Sequence, residues 1–263
     1  MIDMHSHILP GLDDGAPDWE QSLAMAKMAV EDGITSMVCT PHWVLGKYEN
    51  GRTAILEKVA ELKERLAAAE IPLAVYPGSE LRLDMSIPDR LRTGEIIGLN
   101  DRSGYVLLEL PEENLPDSLE DFFWNLQIAG LRPIISHVER NPVLRARPRR
   151  LFNWVEAGIL TQITAASILE EFSMEIMEFS HTLIRHRLVH MLVTDTHGLR
   201  MRIPRLSEAR AVVEGLAGPA FAELLVSGTP QHIIRGESVP VIDPLPLEAP
   251  GKKKARFWSL FSR

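Results

Sequence analysis

The chain has 263 residues, 45% of them hydrophobic, and a formal net charge of -8. It is long enough to bury a sizeable core, and its acidic balance argues against a protein that coats nucleic acid. One cysteine, Cys39, allows no internal disulfide and suits a reducing cytoplasm. No charged N-terminal segment leads into an apolar run, and no apolar stretch reaches the roughly 18 residues of a membrane span, so the expected location is cytoplasmic.

The elements read in chain order as an alternation of strands and helices. Met1–His7 is a short strand, followed by a loop with Pro10, Gly11, Gly15 and Pro17 as breakers. Asp18 caps a helix running to about Glu31, and Gly33 ends it. Ile34–Cys39 is a buried strand before the loop Thr40-Pro41-His42. Thr53–Ala69 is an amphipathic helix with Ile55, Val59, Leu62 and Leu66 on one face, and Leu73–Tyr76 is a strand leading to Gly78-Ser79-Glu80. Strand Tyr105–Leu110 carries Glu109. Helix Leu119–Ala129 precedes strand Pro133–Ser136, which leads to His137. Helix Arg149–Ala157, strand Leu160–Ile163, helix Glu171–His186 and strand Met191–Thr194 follow, the last leading to Asp195. Two more helices are expected near Arg205–Leu216 and Pro219–Ser227. Such alternation implies a parallel sheet with helices outside it, and in a closed α/β barrel functional residues gather at the C-terminal strand ends. The proline-rich segment 243–251 reads as a linker between a domain spanning 1–242 and a basic, aromatic tail, 252–263.

The metal-type residues fall at those strand ends. His5 and His7 close the first strand and Asp14 lies just after it. His42, Glu80, Glu109, His137, Asp195 and His197 each end or follow a later strand. On extended chain, residues i and i+2 point the same way, so His5 and His7 can reach one ion, and Asp195 and His197 repeat the spacing. Imidazoles and carboxylates with almost no thiols suit manganese, iron or zinc, and argue against an iron–sulfur cluster. The set exceeds what one ion needs, so two or three ions are expected. Adjacent ions can activate a hydroxide and clamp phosphate oxygens during in-line displacement. Each piece alone has a bland reading: His-x-His is weak, a lone strand-end Glu is commonly solvated, and Thr-Pro-His can be a turn. Their coincidence at matching positions carries the inference. His181, His186, His190 and His232 lie outside the set, the first two in or at the end of a helix. Cys39 lacks the Cys-x5-Arg spacing of a cysteine phosphatase, since Leu45 stands where the arginine is required, and it reads as a small buried strand residue.

The opening Met-Ile-Asp-Met-His-Ser-His-Ile-Leu-Pro-Gly-Leu-Asp-Asp-Gly-Ala resembles that of bacterial capsule and exopolysaccharide tyrosine phosphatases of the polymerase-and-histidinol-phosphatase (PHP) superfamily. Thr40-Pro41-His42, Gly78-Ser79-Glu80, Ser136-His137-Val138-Glu139-Arg140-Asn141 and Thr194-Asp195-Thr196-His197 follow in the family's order, and the match covers roughly residues 1–235. The resemblance implies a distorted (β/α)7 TIM-like barrel of the PHP type with a trinuclear, usually Mn2+, site. It assigns His5, His7, Glu80 and Asp195 to one ion. Glu80 bridges to a second ion held by Glu109 and His137, and Asp14, His42 and His197 hold the third. It also implies attack of hydroxide on phosphorus, with the ions stabilising the leaving phenolate. Arg140 matches one of the family's phosphate-binding arginines and Arg202 the second by spacing, with Arg200 its rival and a solvated charge run the bland alternative. A planar guanidinium suits that role because it binds two phosphate oxygens at once. Two departures stand out: Gly198 where Asp-x-His-Asn is usual, and Val138 where proline is common. Neither removes a ligand.

By the same resemblance, the expected substrate is the phosphorylated tyrosine-rich C-terminal tail of a membrane-bound bacterial tyrosine kinase that controls polysaccharide export. Alternatives are a small-molecule phosphomonoesterase such as a histidinol-phosphatase-like enzyme, a metal-dependent nuclease, and a non-catalytic phosphotyrosine-binding regulator. In the tail, Lys252, Lys253, Lys254, Arg256 and Arg263 interleave with Phe257, Trp258, Leu260 and Phe261, a pattern that can hold a peptide at an anionic membrane surface or simply pack as a terminus. An oligomer is compatible with the sequence.

Overall fold

Strand β1 (Ile2–Ser6) opens the fold, and Asp18 caps α1 (Trp19–Glu31) by accepting a hydrogen bond from the Gln21 amide. Gly33, at φ +90°, turns the chain out of α1 in the left-handed conformation that glycine adopts without strain. The structure, a computed structural model, describes residues 1–101 and 103–247. The end of the expected linker and all of the tail 252–263 lie outside the described residues.

After α1 come β2 (Ser36–Cys39), β3 (His42–Val44), β4 (Tyr48–Glu49), α2 (Arg52–Ala68), β5 (Ala74–Pro77), β6 (Glu80–Arg82), α3 (Ile87–Thr93), β7 (Tyr105–Glu109) and α4 (Leu119–Ile128). The second half holds β8 (Arg132–Ile135), α5 (Pro142–Ala146), α6 (Pro148–Glu156), β9 (Leu160–Thr164), α7 (Ala165–Ile168), α8 (Met174–Arg185) and β10 (Met191–Val193). It closes with α9 (Ser207–Ala217), α10 (Pro219–Glu223), a π-helical turn (Leu224–Gly228) and α11 (Thr229–Arg235). Helix α2 buries Ile55, Val59, Leu62 and Leu66, the face its periodicity predicts, and each such side chain contributes about 1.5–3 kcal/mol of burial.

The strands form two sheets. One has the order β1-β2-β5, all parallel, and the other β10-β9-β8-β7-β6-β3-β4, parallel except for the β3–β4 hairpin. The short strands β3 and β6 are not resolvable from periodicity. They arise because Thr40-Pro41 and Gly78-Ser79 interrupt two strands side by side. Pro41 has no amide to give a ladder, and its carbonyl accepts from the Glu80 amide at 3.1 Å. The double break hands both strands from one sheet to the other and pairs His42 with Glu80 in register. At the far flank Ser6 bridges Thr196 in parallel, and the Asp195 amide donates to the His5 carbonyl at 3.0 Å.

Two apolar clusters result. The larger lies between strands and helices. The smaller gathers Met4, Val38, Leu107, Ile134, Leu160 and Met191, one from each of six strands. Helix α8 starts at Met174, later than expected, because the Ser173 hydroxyl caps it by accepting from the Ile176 amide. Helix α9 is capped from across the fold: the Asp32 carboxylate accepts from the amides of Leu206 and Ser207. The described start of the expected linker, residues 243–247, is irregular and tied down where the Leu245 amide donates to the His186 carbonyl at 2.8 Å. Among the described residues no helix is long and apolar enough to cross a membrane.

Candidate metal centre

Glu80, the first residue of β6, sits fully buried at the centre of the sequence-predicted cluster. Its Oε2 lies 3.2 Å from His5 Nε2, 3.5 Å from His7 Nε2 and 3.1 Å from His42 Nδ1, and its Oε1 lies 3.0 Å from His137 Nε2. The two Nε2 atoms of His5 and His7 are 3.0 Å apart, so the i, i+2 pair does converge on one point. Asp195 Oδ1 completes that group at 3.2 Å from His5 and 3.3 Å from His7.

Three groups of donors are compact enough to hold an ion: His5, His7, Glu80 and Asp195; His7, Asp14, His42 and His197; and His42, Glu80 and Glu109. His137 stands beside the last, 3.9 Å from Glu109 Oε1. All nine residues named from the sequence are therefore brought together. The grouping adds His7 to the Asp14 set and His42 to the Glu109 set.

The donor set fits metal. Both oxygens of Glu80 and Nδ1 of His42 are buried without a hydrogen-bond partner among the described residues, although nitrogens surround them. Donors about 2.1 Å from a first-row ion stand about 3.0–3.4 Å from one another, close to the 3.0–3.5 Å found among His5, His7, Glu80 and Asp195. Charge points the same way. The cluster gathers Asp13, Asp14, Glu80, Glu109 and Asp195, while Arg82 pairs with Glu109 and Arg140 and Arg202 with Asp195, which leaves an excess of carboxylate over guanidinium that divalent cations would balance.

Burial alone would raise the Glu80 and Asp195 carboxyls. The His5 and His137 imidazoles hold Glu80 well below the usual carboxylate range, and Arg140 with the His5 and His7 imidazoles does so for Asp195. Asp14, half-exposed, is lowered chiefly by its bond to His197. Both Asp195 (φ +51°) and His137 (φ +29°) adopt left-handed backbone, a strain of about 1–3 kcal/mol each that the surrounding bonds impose.

Asp195 divides its two oxygens. Oδ1 faces the histidines. Oδ2 holds Arg140 Nη2 at 2.8 Å and Arg202 Nη1 at 3.4 Å. Both arginines line an open cavity of about 370 Å³ with Glu80, His137, Leu144 and Phe172. The Phe172 ring lies against Arg140, with the guanidinium carbon 5.3 Å from its centre. Arg200 is exposed and lines a neighbouring surface pocket instead. His181, His186 and His232 contact backbone carbonyls away from the cluster, and His190 is buried against Thr161. Cys39 is buried, which pushes its thiol far up.

Three participants were not singled out from sequence. Asp13 holds His7 Nδ1 at 2.6 Å, and the doublet Asp13-Asp14 before Gly15 is the signal that could have found it. Gln162 contacts His5 from inside β9, where an amide among Leu160, Thr161, Ile163 and Thr164 in a buried strand is the only cue. Buried Asp3, raised to about 7 by burial against the opposing bonds from Thr194, ties β1 to the residue before Asp195. As for the two departures, the Val138 amide donates to the Gln162 carbonyl at 3.3 Å, a bond proline could not make, and a Cβ at Gly198 would meet Gln21 Nε2 at 3.4 Å, an ordinary contact, so the structure gives no steric reason for the glycine.

Parallel strands that deliver histidines and carboxylates to one end, beside two arginines in an open cavity, define a metal-dependent hydrolase-type site. The chain belongs to the CpsB/CapC family of capsular polysaccharide synthesis, whose model matches residues 1–235. It is 36% identical to the tyrosine-protein phosphatase YwqE of Bacillus subtilis (strain 168) over 239 residues, 91% of this chain and 93% of that one. Identity to the tyrosine-protein phosphatase CpsB of Streptococcus pneumoniae is 28% over 244 residues, 91% of this chain and 100% of that one. A crystal structure from work on YwqE from Bacillus subtilis and CpsB from Streptococcus pneumoniae, described as unique metal-dependent tyrosine phosphatases, aligns with a TM-score of 0.90 at 35% identity, covering 95% of this chain and 100% of that chain.

Proposed function

We propose that this chain is a metal-dependent protein-tyrosine phosphatase that acts on the phosphorylated C-terminal tail of a bacterial tyrosine kinase controlling capsule or exopolysaccharide synthesis and export. The observation that carries the reading is Asp195, whose one oxygen faces the histidine cluster while the other holds Arg140 and Arg202 at the cavity wall. The relatives' names supply the phosphotyrosine class.

His5, His7, Glu80 and Asp195 would hold one ion, Glu80, Glu109 and His137 a second, and Asp14, His42 and His197 a third, with His7 and His42 close enough to serve two groups. Manganese is proposed, with iron and zinc the alternatives. When bound, such ions supply Lewis acidity and an activated water nucleophile. The arginines orient the phosphate through their paired N–H groups. Phe172 and Leu144 give the cavity apolar wall for a phenyl ring. Cys39, buried with a raised thiol, is no nucleophile. The fold is proposed to be a distorted (β/α)7 barrel, supported by the Ser6–Thr196 bridge and the paired strand breaks. A cytoplasmic location is proposed, with the tail 252–263 touching the inner membrane face. Its deletion should reduce binding to anionic vesicles, and unchanged binding would refute that contact.

The test is phosphate release from a tyrosine-phosphorylated kinase-tail peptide by metal-stripped protein with and without manganese, beside phosphoserine peptide and histidinol phosphate. Manganese-dependent release from phosphotyrosine, lost in Glu80→Gln and in His5→Ala with His7→Ala, is expected. Preference for histidinol phosphate would replace the substrate. No release from any ester at full metal occupancy would replace catalysis with phosphotyrosine binding.

A further inference from the structure

An imidazole that offers Nε2 to an ion carries its proton on Nδ1, and something behind the ring must accept that proton. His5 and His7 both turn Nε2 toward the cluster, so the groups behind them are decisive. Behind His7 stands Asp13, its side chain fully buried. Its Oδ2 accepts at 2.6 Å from His7 Nδ1 and at 2.8 Å from the His42 amide, while Oδ1 accepts from the Gly15 amide at 3.0 Å. Every bond Asp13 makes requires an acceptor, so an amide in its place must aim a donor at another donor.

Behind His5 stands the fully buried Gln162, whose side-chain amide meets His5 Nδ1. Gln162 Oε1 has no hydrogen-bond partner among the described residues. A half-turn of the amide brings Oε1 to the ring as acceptor, the arrangement the Nδ1–H tautomer needs. His197 follows the same logic with a backbone group, its Nδ1 lying 2.8 Å from the Asp195 carbonyl.

We infer that Asp13 and Gln162 are positioning residues, holding His7 and His5 in the Nδ1–H tautomer so that both present Nε2 to one ion. The inference rests on the metal reading above. Asp13 also sets His42 through its amide, which couples two of the donor groups.

Manganese would be titrated calorimetrically into metal-stripped wild type, Asp13→Asn, Gln162→Met, Gln162→Glu and His5→Ala. Nitrogen-resolved NMR of histidine-labelled, zinc-loaded protein would read the tautomers. Asp13→Asn and Gln162→Met should weaken binding about 10–100-fold and move the His7 and His5 signals, respectively, off the Nδ1–H position. Gln162→Glu, which keeps an acceptor behind His5, should restore both readouts. Wild type that binds no more manganese than His5→Ala overturns the metal reading and this one with it. Wild type that binds while the variants keep its affinity, or weaken it with both tautomers unmoved, overturns the positioning alone.

Discussion

Replacing Arg140 separates phosphate binding from metal binding. Its Nη2 holds Asp195 Oδ2 at 2.8 Å, and its guanidinium lies at the cavity wall against Phe172. Two charge-assisted hydrogen bonds to phosphate, at about 1.5–3 kcal/mol each, put the loss in Arg140→Ala at roughly 3–6 kcal/mol. At about 1.4 kcal/mol per tenfold, kcat/KM should fall on the order of 10²–10⁴-fold. Arg140→Lys keeps the charge without the fork and should fall between. Arg202→Ala should lose less, about tenfold or more, because Arg202 is the more exposed and sits farther from Asp195, at 3.4 Å. Arg200→Ala, on a different pocket, should leave the rate near that of wild type. The assay is hydrolysis of an aryl phosphate and of a phosphotyrosine peptide at saturating manganese, with bound metal counted in every variant. Full activity in Arg140→Ala at unchanged metal content would refute the phosphate-binding role. A loss in Arg200→Ala equal to that in Arg202→Ala would refute the choice between those two.

Native Cys39 should resist an aromatic disulfide reagent and react only on denaturation, and Cys39→Ala should keep the phosphatase rate; loss of activity without unfolding would show a role for the thiol. Gly15→Ala should destabilise by more than the about 1–3 kcal/mol usual for overpacking, since its Cβ would lie 2.1 Å from the His7 carbonyl oxygen; an unchanged urea midpoint would contradict that geometry. His190 is lowered from 6.5 to about 4 by burial. It stays neutral when folded but protonates in the unfolded chain, so its contribution is complete above pH 6.5 and lost as pH falls toward 4. That loss approaches about 3 kcal/mol, and His190→Gln should lack it; equal slopes of stability against pH would refute the assignment.

Local chemistry was legible in the sequence wherever one segment decides the outcome. Asp18 caps α1, the α2 stripe is buried, and His5-x-His7 converges because strand geometry points i and i+2 the same way. Short strands β3 and β6 were not legible, since their pairing depends on Thr40-Pro41 and Gly78-Ser79 lying side by side. Composition and order revealed which residue types gather, and motif order revealed the family. Only the tertiary structure decided that Asp195 shares its two oxygens between histidines and arginines, that Arg202 rather than Arg200 reaches the cavity, and that Asp13 and Gln162 stand behind the histidines. The reason is physical. Periodicity reports which face of an element is apolar, whereas the orientation of an imidazole or a guanidinium is set by partners that folding brings from distant parts of the chain.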